Sequence, residues 1–68
     1  MKIKVIFEKE KSHRTVEVRR EQTIESLLKE MKVNPQTVIV VKNGEVVTEQ
    51  EILSDGDELK VLSVKLGG

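Results

Sequence analysis

Only one stretch of this chain has helical periodicity, and the apolar stretches around it read as strand. Ile24, Leu27, Leu28 and Met31 fall at i, i+3, i+4 and i+7. That spacing puts them on one stripe of an amphipathic helix, with Glu25, Lys29, Glu30 and Lys32 in water. Thr23 stands before the stripe as an N-cap, and Glu25 lies in the first turn, where the helix dipole favours a carboxylate. Asn34-Pro35 is expected to end the helix, because the residue before a proline is pushed out of helical geometry. One helix with one apolar stripe needs a sheet to cover it.

The sheet is legible on both sides of the helix. Ile3, Val5 and Phe7 alternate with Lys2, Lys4 and Glu8, which marks a half-buried strand. Lys9 to His13 reads as a polar turn. Arg14 to Arg19 alternates again, with Val16 and Val18 inward, and so short a connection implies an antiparallel hairpin. Thr37 to Lys42 is a β-branched run without alternation. Such a strand is either central in its sheet, or has one face under the helix and the other kept for a partner. Asn43-Gly44 is a two-residue hairpin turn, and Glu45, Val46 and Val47 begin a short return strand. Thr48 to Leu53 is polar, with Ile52 and Leu53 as anchors. Asp55-Gly56-Asp57 is a tight turn. A last strand runs from Glu58 to Leu66, with Leu59 and Val61 on one face and Lys60, Leu62 and Val64 on the other. The expected fold is α+β: a mixed sheet of four to five strands, one main helix across one face, and the last strand parallel to the first. That arrangement is the β-grasp.

Composition narrows the function. The 68 residues hold one domain and no cysteine, so disulfides, thiolate metal sites and a cysteine nucleophile are excluded together. Twelve basic residues balance twelve acidic ones, and Phe7 is the sole aromatic. A nucleic-acid binder would carry a basic excess and stacking aromatics. No apolar run reaches the roughly 20 residues of a membrane span, and the start does not resemble a signal peptide. The expectation is a cytoplasmic chain that binds neither nucleic acid nor membrane. His13 has no second ligand near it and reads as a solvated residue, not a metal ligand. Asp55 and Asp57 offer too few oxygens for calcium and read as turn residues. No catalytic constellation is visible, so the chain is not expected to be an enzyme.

The sequence ends in Gly67-Gly68. Two residues without side chains could thread a narrow channel and present a carboxylate for chemistry. Alone, the pair fits a frayed end equally well. The body in front of it favours the first reading.

Three segments carry a family resemblance over the whole chain: Val41-Lys42-Asn43-Gly44-Glu45-Val46-Val47, Ser54-Asp55-Gly56-Asp57-Glu58-Leu59, and the Gly67-Gly68 end about ten residues after that turn. In this order the chain resembles the ubiquitin-like β-grasp sulfur carriers, which include the carriers of thiamine thiazole and molybdopterin synthesis and the archaeal small modifier proteins. It lacks the proline- and alanine-bearing tail of the molybdopterin member and the Arg-rich last strand of ubiquitin.

The resemblance implies a β-grasp domain over residues 1–66 and a flexible reactive tail at 67–68. It implies that a partner similar to ubiquitin-activating enzymes uses ATP to adenylate the Gly68 carboxylate, with Gly67 giving clearance. A partner's persulfide sulfur then displaces AMP to leave a thiocarboxylate. Its sulfur would pass to acceptor enzymes of thiamine, molybdopterin or tRNA thiolation. The alternative is attack by a target-protein lysine, which makes the chain a protein modifier. The acid–base groups and nucleophiles belong to the partners, and no cofactor is bound by this chain. The expected docking surface is the open face of the sheet, with Ile6, Leu62 and Val64, then Lys65 and Leu66 leading to the tail. Either Ile39 and Val41 or Val38 and Val40 would join it, since a one-residue slip exchanges the faces.

Overall fold

The computed structural model describes residues 1–64, so the expectations for Lys65, Leu66, Gly67 and Gly68 lie outside the described residues. Seven elements follow in order: β1 (Lys2–Phe7), β2 (Ser12–Glu17), α1 (Ile24–Glu30), a 3-10 turn (Pro35–Thr37), β3 (Val38–Lys42), β4 (Glu45–Val47) and β5 (Glu58–Ser63). The five strands form one sheet in the order β2-β1-β5-β3-β4. β5 is parallel to β1 and antiparallel to β3, and the two hairpins are antiparallel. The β-grasp expected from the sequence is therefore the observed architecture. The described helices include none long and apolar enough to cross a membrane.

The core lies between α1 and one face of the sheet. Ile3, Val5, Val18, Ile24, Leu27, Leu28, Val40, Leu53, Leu59 and Val61 are buried there; strand alternation and the helical stripe select all of them but Val40, whose strand has no alternation, and Leu53, an anchor of the 48–53 segment. Met31 packs on its edge. Thr23 caps α1 by accepting from the Ser26 N–H at 3.2 Å. The next two free donors of that end, the Ile24 and Glu25 N–H groups, donate to the Glu51 and Glu49 carbonyls at 3.0 and 2.9 Å. The helix start is thus seated on the 48–53 segment, which helix propensity alone does not reveal.

Several boundaries differ from the sequence expectation. β2 begins at Ser12 and includes His13, because Lys11 takes a left-handed backbone (φ 52°) and closes a shorter turn. Ser12 and His13 are polar and pair on an outer strand, where no apolar alternation marks them. The helix ends at Glu30, with Met31 as its C-cap, ahead of Asn34-Pro35. Lys32 is left-handed (φ 61°), and its N–H reaches the Lys29 carbonyl while the Val33 N–H reaches the Leu28 carbonyl, which is the Schellman stop. Asn34-Pro35 instead opens the 3-10 turn, with Asn34 accepting from the Gln36 N–H. Ile52 is half exposed, so Leu53 is the buried anchor of its pair. β5 ends at Ser63 within the described residues.

Candidate functional site

The face of the sheet away from α1 is assembled by register. β5 has Leu59 and Val61 buried, so Lys60 and Leu62 point to the open side. Val40 pairs with Val61 and is buried beside it. Val38 and Val40 therefore face inward, while Ile39 and Val41 face outward, which resolves the open register of the β3 run. β3 is an inner strand next to the middle one, with one face under the helix and the other free. Ile39 opposes Leu62 directly. Ile6, Lys60, Val41 and Val46 form a row across four strands.

Of the docking residues expected from sequence, Ile6 and Leu62 stand on this face and are half-buried. Val64 follows the end of β5, is also half-buried, and donates its N–H to the Thr37 carbonyl at 2.9 Å. Ile39 and Val46 are the exposed members, at 42% and 74%. Val46 was not singled out in the sequence, although its signal was present: Asn43-Gly44 as a two-residue turn pairs Val41 with Val46. Aliphatic groups gathered on one open face of a small domain, two of them exposed, are a candidate interaction surface. The patch runs from Ile6 on β1 across β5 and β3 to β4, whereas β2 offers His13, Thr15 and Glu17 on the same face.

The start of β5 is held by the second and third of the turns named above. Asn43 adopts the left-handed backbone of its hairpin turn (φ 51°), followed by Gly44 at 86°. Its N–H donates to the Glu58 carbonyl at 2.9 Å, and its Oδ1 accepts from the Glu58 N–H at 3.0 Å. Its Nδ2 donates to Asp57 Oδ1 at 3.0 Å. Asp57 is 8% exposed, and its Oδ2 accepts from the Ser54 N–H at 2.8 Å. On the other side Asp55 Oδ1 accepts from the Lys2 N–H at 2.8 Å, and the Gly56 N–H donates to the Lys2 carbonyl. One Asp-Gly-Asp turn thus fastens β1 and the β3–β4 hairpin to the same strand. Asp55 and Asp57 are turn residues, as expected, and Asp57 is also a buried tie.

Lys42 points to the helix side, 18% exposed, with its ammonium 2.7 Å from Glu51 Oε2 and 3.9 Å from Asp57 Oδ2. The hydrogen bond that the ammonium donates to Glu51 holds its pKa above the ordinary lysine value, helped by the nearby charges of Glu51, Asp57 and Glu45 and opposed by desolvation.

Comparison with known proteins is consistent with this geometry. The ThiS family model matches residues 5–68. The sulfur carrier protein TtuB of Thermus thermophilus is 36% identical over 53 residues, covering 78% of this chain and 82% of that one. The crystal structure of SAMP1 from Haloferax volcanii superposes over the full length of both chains with a TM-score of 0.75 at 18% identity. The Caldiarchaeum subterraneum ubiquitin structure gives 0.73 at 23% identity, over 100% of this chain and 98% of that one.

Proposed function

The chain belongs to the ThiS family of β-grasp sulfur carriers, and from that membership we propose that it carries sulfur as a C-terminal thiocarboxylate on Gly68. In this reading the chain is a substrate and the catalytic groups belong to its partners. The Gly68 carboxylate attacks the α-phosphorus of ATP in an adenylating enzyme, and pyrophosphate leaves. The adenylate makes the acyl carbon reactive, since AMP is a far better leaving group than oxide. The terminal sulfur of a partner persulfide attacks that carbon and AMP departs, giving an acyl disulfide. A second thiol then attacks the donor's sulfur, forms a disulfide with it, and releases the thiocarboxylate for an acceptor enzyme. With no cysteine in the sequence, the sulfur must come from outside the chain.

The observation that best supports this reading is the aliphatic patch around β5 and β3. Ile6, Leu62, Ile39, Val41 and Val46, from β1, β5, β3 and β4, offer a docking face around β5, the strand that precedes Gly67-Gly68 in the sequence. ATP is consumed by the partner, in the cytoplasmic setting expected from sequence. Intact-mass spectrometry of the protein isolated from its native host should find the oxygen-to-sulfur increment on the C-terminal peptide. A chain that stays a carboxylate beside its activating enzyme and a persulfide donor would sink the proposal. The modifier alternative has its own signature: tryptic peptides bearing Leu-Gly-Gly on target lysines.

A further inference from the structure

Lys60 occupies the middle of the aliphatic patch. Its register neighbours are Ile6 on β1 and Val41 on β3, with Val46 beyond Val41. Leu62 is two residues along β5, on the same face, beside its own partner Ile39. Directly opposed side chains have Cβ atoms about 4.5–5.5 Å apart, so the stem of Lys60 runs between aliphatic groups and its ammonium emerges among them. The side chain is 44% exposed, and its Nζ stands 3.4 Å from Oε1 of Glu8, itself 45% exposed. That separation exceeds the roughly 2.7–2.9 Å of a charge-assisted hydrogen bond. The ammonium has three donors, and in the free protein water meets those that Glu8 does not. The other outward lysines of these strands differ: Lys4 pairs in register with Glu58 and Lys2 with Glu17, both away from the apolar row.

Any partner that covers Ile6, Leu62, Ile39, Val41 and Val46 also covers Lys60 and expels its water. An ammonium desolvated without acceptors is strongly unfavourable, so a wholly apolar partner surface is a poor complement. We propose that the adenylating enzyme docked on this face places a carboxylate opposite Lys60, and that Lys60 is the specificity-determining residue that separates this enzyme from other apolar surfaces. The inference rests on the carrier reading above. Glu8 is the in-chain counterion that keeps the ammonium at the surface until the partner's carboxylate joins it.

The test is ATP–pyrophosphate exchange with the full chain and the adenylating enzyme of the same host, with carrier concentration varied at two ionic strengths. Lys60→Met keeps the stem and removes the charge. It should raise KM about tenfold or more with kcat near the parent value. Lys60→Arg should stay within about threefold. The parent's KM should rise with salt, and that dependence should weaken in Lys60→Met. A Lys60→Met chain with unchanged or lower KM overturns the proposal and indicates an apolar surface opposite Lys60. Ile39→Asp separates the two readings. If it abolishes exchange while Lys60→Met is neutral, the docking face and the carrier reading survive and the carboxylate is refuted. If the parent chain supports no exchange, the carrier reading itself fails and takes this proposal with it.

Discussion

Asp57→Ala should be among the most damaging single changes outside the apolar core. Asp57 is 8% exposed, and its carboxylate accepts from two donors, the Ser54 N–H at 2.8 Å and Asn43 Nδ2 at 3.0 Å. Hydrogen bonds to a charged group contribute about 1.5–3 kcal/mol each when the partner is left unsatisfied in a shielded place. Both donors lie in part-buried surroundings and can recover some water, so the combined cost is about 2–4 kcal/mol. For a domain of this size that corresponds to a loss of roughly 10–25 °C in Tm. Asp57→Asn is the informative companion. Its remaining carbonyl oxygen can satisfy one donor, but its NH2 faces the other, so it should recover about half the loss. Asp55→Ala removes only the exposed bond to the Lys2 N–H and should cost about 1 kcal/mol or less. The assay is urea unfolding followed by circular dichroism, with m-values compared to confirm that the unfolded reference is unchanged. An Asp57→Ala chain within about 0.5 kcal/mol of the parent, or a loss no greater than that of Asp55→Ala, would refute the view that this turn holds the start of β5.

Two further outcomes follow from backbone and charge. Lys32 sits in the left-handed region at φ 61°, a conformation that costs a side-chain-bearing residue about 1–2 kcal/mol, so Lys32→Gly should raise stability by about 0.5–1 kcal/mol after the extra unfolded-state entropy is subtracted; a destabilised variant in thermal melts would mean that the lysine side chain has a stabilising contact of its own. Lys42 has a folded-state pKa above its ordinary value of 10.5, so its ion pair stabilises fully below that value and fades as pH rises through the folded pKa. The stability gap between the parent and Lys42→Met should therefore narrow above about pH 10.5 in chemical denaturation, the titration of the other lysines being common to both. A gap that stays constant across that range would show that the ammonium gains nothing from Glu51 and Asp57.

The parts of this fold that were legible from sequence share one property: each is encoded within a few residues. The Ile24-Leu27-Leu28-Met31 stripe, the alternation of β1 and β5, the Thr23 cap and the Asn43-Gly44 turn all have a local physical cause. What was not legible either depends on residues far apart or lacks a distinctive local signal. Val38 to Val41 are apolar on both faces, so no local pattern can orient β3; it is oriented by Val40 opposing the inward Val61. The helix stop at Lys32 uses a residue with no intrinsic preference for a left-handed backbone, set by the Val33 N–H reaching the Leu28 carbonyl, and Asn34-Pro35 was the louder but later signal. Asn43 and Asp57 could be named as turn residues, yet their bond spans fourteen positions and exists only because β5 returns between β1 and β3.

That return also explains why the candidate docking face is composite. Ile6, Ile39, Val41, Val46, Lys60 and Leu62 come from four strands, and β5 in the middle brings them together. The Asn43–Asp57 tie sits at the start of β5, while the Val64 N–H meets the Thr37 carbonyl just past its end. Six residues of strand, about 20 Å, separate the two. Because side chains alternate strictly along a strand, a one-residue slip at the tie would turn Lys60 and Leu62 inward and present Leu59 and Val61 to the partner. The two bonds between Asn43 and Glu58, one between backbone groups and one from the Glu58 N–H to the Asn43 side chain, oppose that slip directly at the start of β5. A weakened tie should therefore show itself at the docking face before the helix or the β1–β2 hairpin is lost. Hydrogen exchange on Asp57→Asn is the measurement: protection should fall first along β5 and β3, with α1 retained, and a uniform loss across all elements would argue that the tie contributes only global stability.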